Sequence, residues 1–475
     1  MFALKRPAVA GRSFLSVIWT GKRSIPGLVA VDRSFLGPHA SSTLNHARPF
    51  SSGKARMAPL LAQNFPSSGF EVIDPSVKIE EETLSFYDSR MFYPVRVGEV
   101  FRERYQVVAK LGYGAHSTIW LCRDLHDDLY RALKVHINTL QYNRELEIYQ
   151  HLNSPALQQS DHGGKDHLRE LYDYFRIEGP HGTHDVFVMR PLGAAIRDLQ
   201  QLVPDRVFDY LAVPDMLLQI LPTIHFLHTE AKITHSDIHT GNLLQGVKDE
   251  QLFAEIEADE LSGTPCPRKA GDRTIYTSRS FHEVVGRLYL CDLGNALFAG
   301  EDVRPAMPVQ YRAPEVILGM EWGHAIDMWS VGMMAWDMMQ PADLFKIYDP
   351  EDEFLNNAHH LAAMIALLGP PPREFLDRSQ ESLKYWDENG NWRDIVPIPT
   401  SRTFEFLATK PEDGEERELF LNFISALLWW VPEERLDSFQ VFSHLWIHRA
   451  MQNIQQAEGD GSSQGGTEPP PPGSG

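Results

Sequence analysis

Cysteine is scarce in this chain. Its three copies in 475 residues, Cys122, Cys266 and Cys291, fit neither a disulfide framework nor a zinc motif, and such usage points to a reducing compartment. Long apolar runs are missing too: the strongest, ISALLWWV, is far short of the roughly 18 residues a membrane-spanning helix needs. Basic charge is also in deficit, with 44 Lys/Arg against 64 Asp/Glu and a net charge of −20. The first 60 residues hold nine of those bases and a single acid, Asp32, so the rest of the chain carries 35 bases against 63 acids. So acidic a body argues against nucleic acid or an anionic membrane as main partner and favours basic ones. The competing reading is that the acidity serves solubility. One absence is local: between Leu293 and Gln310 there is no Ser, Thr or Tyr.

What is present divides the chain. Residues 1–56 are basic, Ser-containing and nearly free of acids, the composition of a mitochondrial transit peptide. ARPFSS (47–52) resembles a matrix-protease site, while a disordered basic leader, or a start codon placed too early with Met57 the true initiator, stands as the alternative. Residues 57–92 read as a linker. The tail 452–475, ending GDGSSQGGTEPPPPGSG, is too polar and rich in Pro and Gly to fold. Between them RYQVVAKL, STIWLCRD and YRALKVHI alternate like antiparallel strands. Beyond residue 195 the period becomes helical, as in VPDMLLQILPTIHFLHTE. A sheet-rich unit followed by a larger helical one predicts two lobes around a cleft.

Within that frame a series of short segments carries chemistry. KLGYGAHSTIW (110–120) sets Gly112 and Gly114 in a strand–turn–strand context, where glycine backbone can close over phosphates and offer amide donors. ALKV supplies Ala132, small enough to lie over an adenine, and Lys134, a strand-borne cation for phosphate oxygens. YNRELEIYQHL reads as a helix bringing Glu145 to Lys134; the spacing of 11 is short, which keeps Glu147 as a second candidate. HDVFVMRPLG puts Met189 at the back of a nucleotide pocket and Arg190–Leu192 at a hinge. ITHSDIHTGNLL provides Asp237 as general base and Asn242 as metal ligand, and LYLCDLGNALF adds Asp292 as the second ligand. VQYRAPEVILG contains Ala313–Pro314–Glu315, AIDMWSVG holds Asp327 on a buried helix, and PEERLDSF offers Arg435 as a partner for Glu315. Each piece alone reads equally as a turn or a structural loop. Their order is specific, and it resembles that of protein kinases.

The resemblance narrows over residues 93–448. YPVRVGEVFRERYQVVAKLGYGAHSTIWLCRD, DLGNA, QYRAPEV and HHLAAMIALLGPPP are similar to SR-protein-specific kinases (the SRPK family), particularly their fungal relatives. That resemblance implies an α+β, bilobal kinase fold with a β-rich N-lobe over about 93–192 and a larger helical C-lobe over about 193–448. It implies a non-specific serine/threonine protein kinase using ATP and Mg2+. Leu111, Gly112, Gly114, Ser117, Ile119, Ala132, Lys134, Glu145, Met189, Arg190, Leu192 and Leu244 would contact the nucleotide, Ser117 standing at the third glycine position. Asn242 and Asp292 would hold the metal, and Asp237, Lys134 and His239 would act in catalysis. The implied partner is a basic or Arg/Ser-rich protein substrate, with no nucleic acid or membrane and a monomeric chain. The acidic stretch DPEDEF (349–354) lies where such kinases draw in Arg-rich substrate. Family location would be cytoplasmic or nuclear, against which the basic leader sets a mitochondrial one.

Two departures accompany the resemblance. Such kinases carry a Lys two residues after the base, bridged to a Thr five residues before the APE alanine; here those positions are His239 and Pro308. The loop as written, HSDIHTGN, resembles that of aminoglycoside and choline phosphotransferases, which lack the Lys. Three readings follow: an active protein kinase, a nucleotide-binding pseudokinase acting as a scaffold, and a small-molecule phosphotransferase. Ser236 replaces the Arg that receives an activation-loop phosphate, so with no acceptor from 293 to 310 the phosphorylation switch lacks both halves. Finally, 50 residues separate Asn242 from Asp292. The insert, about 245–287, falls at an SRPK spacer; its acidic first half predicts a short helix, and a solvated insertion without function is the plain alternative.

Overall fold

The computed structural model describes residues 58–140, 142–279, 286–301, 306–412 and 414–452, with the backbone of a short ladder between Trp19–Thr20 and Arg23–Ser24. The expected transit peptide and the expected disordered tail beyond Gln452 lie outside the described residues. Among the described residues two compact units emerge: one lies within 58–204 and 229–299, the other within 205–228 and 300–452.

The first unit is built on an antiparallel sheet of six strands: β1 Val100–Phe101, β2 Tyr105–Gly114, β3 Ser117–Asp124, β4 Leu129–His136, β5 Leu171–Gly179 and β6 Gly182–Met189, ordered β1-β2-β3-β4-β6-β5. The helices used below are α1 Arg144–Leu152, α2 Ile196–Gln200, α3 Ala212–Phe226, α4 Gln251–Ser262, α5 Ala325–Met339, α6 Glu353–Leu368 and α7 Glu415–Leu427. A register shift in β2 between Val107 and Ala109 interrupts strict alternation, so the strand feeds both faces of the sheet. On one face Tyr105 and Val107 pack with Trp120, Cys122, Leu133, Val135, Val186 and Val188. On the other, Val108 and Ala109 meet Leu121, Tyr130, Phe253 and Ile256.

Phe253 and Ile256 belong to α4, inside the long insert. Its acidic half does fold into a helix, and that helix is not solvated. Phe253, Ile256 and Glu260 recur at helical spacing, and all three are buried. Phe253 lies 5.6 Å from the Tyr130 ring. Glu260 accepts from Arg279 Nη2 (2.9 Å) and from the Cys266 N–H (2.8 Å). Segment 58–92 also lies on the sheet: Glu81, 1% exposed, pairs with Lys110 of β2 and with Arg273 of the insert, and Lys269 Nζ reaches Glu82 at 2.8 Å. These carboxylates and cations are withdrawn from water yet mutually paired, the condition under which buried charge is tolerated. Sequence period alone could not place the insert, because the surface it covers is more than a hundred residues away in the chain.

The second unit is helical. Helix α5 is apolar nearly all round (Met328, Trp329, Val331, Met333, Met334, Trp336) and is accordingly central. Gly332 lets the neighbouring segment approach: a Cβ there would sit 2.9 Å from Leu428 Cδ2 and 3.1 Å from Leu427 Cβ. Asp327, fully buried, holds His228 Nε2 at 2.8 Å. Arg435 meets Glu315 through two parallel bonds of 2.6 and 2.7 Å, both side chains buried, and also donates to the Ala325 carbonyl. This is the pairing expected from sequence, in the planar fork geometry that suits arginine.

Candidate active site

Every residue assigned to the site from sequence falls in the first unit. Strand β4 presents Lys134 opposite Ile119 of β3 and Phe187 of β6, and Ala132 opposite Met189. Asn143 caps α1 by accepting the Leu146 N–H, which sets Glu145 in the first turn. From there Glu145 Oε2 lies 2.6 Å from Lys134 Nζ and 3.2 Å from His136 Nε2. Glu147 points elsewhere, to Arg144 at 2.6 Å and to Tyr142. The choice between the two glutamates is thus settled by the cap, despite the short spacing. Lys134 Nζ also lies 3.3 Å from Asp292 Oδ1. Burial opposes the lysine's charge, but Asp292 and Glu145 outweigh it and hold its pKa above the ordinary value. Lys134 in turn brings the Asp292 carboxyl down to about 2. Both ions persist at neutral pH.

The Asp237 segment is arranged by its own neighbours. The Asn242 amide donates to the Asp237 carbonyl (2.9 Å) and to its Oδ2 (3.3 Å), and Asn295 Nδ2 donates to the same Oδ2 at 3.1 Å. His235 accepts the Asp237 N–H and its other nitrogen meets the Cys291 carbonyl at 3.1 Å, tying the loop to the residue before Asp292. Ser236 donates to the Asn295 carbonyl at 2.7 Å. Ser236 (φ 65°) and Asp292 (φ 63°) both hold left-handed backbone, a cost that persists only where surrounding bonds over-determine it. His239 accepts the Gly241 N–H on Nδ1 and turns Nε2 toward Asp237 Oδ1, 3.6 Å away. Burial lowers its pKa, against the pull of Asp237.

The remaining predicted residues have varied surroundings. Leu192 packs with Tyr289 and Cys291, with Leu244 beside them. Leu111 joins the cluster under α4, Met189 is buried, and Ser117 opens β3 at the turn. The Arg190 guanidinium lies over Tyr289 and reaches Glu170 at 3.1 Å, while its carbonyl is taken by Arg169. Among the described residues, no atom beyond their own chain neighbours lies within 4 Å of where a Cβ on Gly112 or Gly114 would stand. Packing against the rest of the chain therefore does not require glycine there, and the open space leaves room for a ligand to approach the backbone. Asn242 Oδ1 accepts no hydrogen bond among the described residues. Sequence reasoning gave no role to Asn295, His235 or His136; His235 carried a signal two residues before Asp237 in HSD, and Asn295 one three residues after Asp292 in DLGN.

Residues 105–447 match the protein kinase domain. The chain belongs to the protein kinase family. A serine/threonine protein kinase of Aspergillus fumigatus is 36% identical over 401 residues, covering 82% of this chain and 96% of the relative. A serine/threonine-protein kinase SRPK of Physarum polycephalum is 29% identical over 391 residues, covering 78% and 91%. In structure, a crystallised kinase domain aligns with a TM-score of 0.57 at 20% identity, over 76% of this chain and all of that one. The fold is the α+β kinase fold expected from sequence, and the chain is an SRPK-like serine/threonine protein kinase.

Proposed function

We propose that this kinase is active and transfers the γ-phosphoryl group of ATP to serine or threonine hydroxyls of basic, Arg-rich proteins. The observation that carries the reading is the joint preservation of two clusters, Lys134–Glu145–Asp292 and Asp237–Asn242–Asn295, within one unit. Lys134, held ionised by two carboxylates, binds the α/β-phosphates. Asp237 orients the acceptor hydroxyl and takes its proton as the oxygen bonds to the γ-phosphorus and the bond to the β,γ-bridging oxygen breaks, releasing ADP; its second oxygen is steadied by Asn242 and Asn295. Magnesium, when bound, neutralises charge on the phosphate oxygens. Asn242 and Asp292 would hold it, since a carboxylate and an amide carbonyl are the hard oxygen donors Mg2+ prefers.

The substrate class is read from charge. Beyond residue 60 the chain carries 63 acids against 35 bases, and the Physarum relative's name places it among SRPK kinases. Some of DPEDEF is structural: Asp349 accepts the Glu351 and Asp352 N–H groups, Asp352 caps α6, and Glu353 pairs with Arg312 at 2.9 Å. Glu351 and the outer side of Glu353 are what that segment offers a cation. His239 in place of lysine favours the pseudokinase reading. A radiolabelled-ATP assay with an Arg-Ser peptide, casein and a basic protein mixture decides between them: phosphorylation above an Asp237→Asn control supports the kinase, and its absence on all three supports the scaffold.

A further inference from the structure

The loop that carries Asp237 has no lysine to offset charge on the transferred phosphoryl group, and His239 does not stand in for it. Its ring is engaged within the loop, Nδ1 accepting the Gly241 N–H at 3.0 Å and Nε2 turned to Asp237. Even a protonated His239 would set its charge against the Asp237 carboxylate.

A second cation approaches Gly241 and His239 from another element. Arg197 lies in α2, which packs against the turn Thr240–Asn242. Backbone bonds fix that helix to the loop's exit: Gln245 donates to the Ala194 carbonyl at 3.0 Å, Gly193 donates to the Gln245 carbonyl at 2.6 Å, and Ala195 bridges Leu244. Gly241 is where the two side chains converge. A Cβ on it would stand 2.8 Å from His239 Cε1 and 3.1 Å from Arg197 Cζ. Glycine leaves the guanidinium room to settle over the loop at this point, where a side chain would crowd the His239 ring and push Arg197 outward. Arg197 is exposed, and no carboxylate among the described residues forms an ion pair with it. Arginine stays charged at any working pH, and its planar fork suits phosphate oxygens.

We propose that Arg197, entering over Gly241, is the cation that stabilises the transferred phosphoryl group in place of the missing loop lysine. The proposal rests on the kinase reading given above. It assigns a catalytic role to a residue of α2, outside the loop, and gives Gly241 a steric purpose.

The test is steady-state kinetics of full-length Arg197→Ala, Arg197→Lys and the double variant Arg197→Ala/His239→Lys, with thermal melts to confirm folding. Arg197→Ala is expected to lower kcat by roughly 10- to 100-fold, the range for losing one electrostatic contact to developing charge, with KM for peptide and ATP nearly unchanged. Arg197→Lys should keep most of the activity. The double variant should regain most of it, because it returns a cation by the other route; a merely structural arginine would not be rescued this way. Wild-type kcat in a folded Arg197→Ala overturns the proposal. So does a change confined to peptide KM, which would make Arg197 a reader of the substrate's flank. If the wild-type protein itself matches Asp237→Asn on every substrate, the kinase reading fails and takes this one with it.

Discussion

Glu145 Oε2 stands 2.6 Å from Lys134 Nζ, although only eleven residues separate them, because the Asn143 cap starts α1 immediately before the glutamate. Glu147, one turn face away, is spent on Arg144. Glu145→Gln should therefore lower kcat/KM for ATP by about tenfold or more, roughly 1.4 kcal/mol, whereas Glu147→Gln leaves it within twofold. Equal effects from both substitutions would refute this pairing.

Arg435 and Glu315 form a buried, doubly hydrogen-bonded ion pair within the helical unit. Removing one partner leaves the other charge without compensation, at a cost of about 3–5 kcal/mol. Arg435→Met should show that loss in urea unfolding followed by tryptophan fluorescence, Trp329 lying against the guanidinium. A replacement of both residues by apolar ones of similar size should lose less than the single variant.

Asp337, in α5, accepts from the Tyr311 hydroxyl at 2.5 Å, and burial pushes its carboxyl up to about 7, against the Tyr311 bond and with the help of Asp343. A carboxyl raised above its unfolded value favours the folded state most when protonated. The contribution is fully present below about pH 4 and is lost as pH rises through about 7. Melting temperatures measured from pH 5 to 8 should fall more steeply for the wild type than for Asp337→Asn, which keeps a hydrogen-bond acceptor without the titration. Parallel curves would exclude Asp337 as the titrating group.

The insert contributes stability to the sheet through Phe253, buried against Tyr130, Val108 and Ala109. Phe253→Ala should cost about 3–5 kcal/mol. Because Lys110 of the same strand leads directly into Gly112, KM for ATP should rise as well. Hydrogen exchange over 105–114 offers the direct measurement; unchanged protection in the variant would mean that α4 rests on the sheet without supporting it.

Charge steering of substrate is testable with the α6 cap in place, at the cost of the Glu353–Arg312 pair. Glu351→Lys with Glu353→Lys leaves the Asp352 cap and the Asp349 turn intact. The double variant should raise KM for a basic peptide several-fold at low salt and spare kcat, and the difference should shrink as ionic strength rises. Better turnover of acidic peptides by the wild type would contradict the basic-substrate reading.

The sequence by itself determined the architecture and named the candidate site residues that the fold then brought together. Strand alternation in YRALKVHI, the helical period after residue 195 and the order of the short segments are local patterns, readable because each rests on neighbours a few residues apart. What the tertiary structure decided are the long-range pairings. The cap at Asn143 selected Glu145 over Glu147. A bulge in β2 opened a second apolar face, which an insert more than a hundred residues on covers with Phe253 and Ile256. Glu81, Lys110 and Arg273, from three separate segments, met as one buried ionic cluster. And α2 brought Arg197 over Gly241, forty-four residues downstream. A charge or an apolar stripe declares in sequence that it needs a partner. Only the closed chain, where burial makes an unpartnered charge too costly to keep, settles which partner it takes.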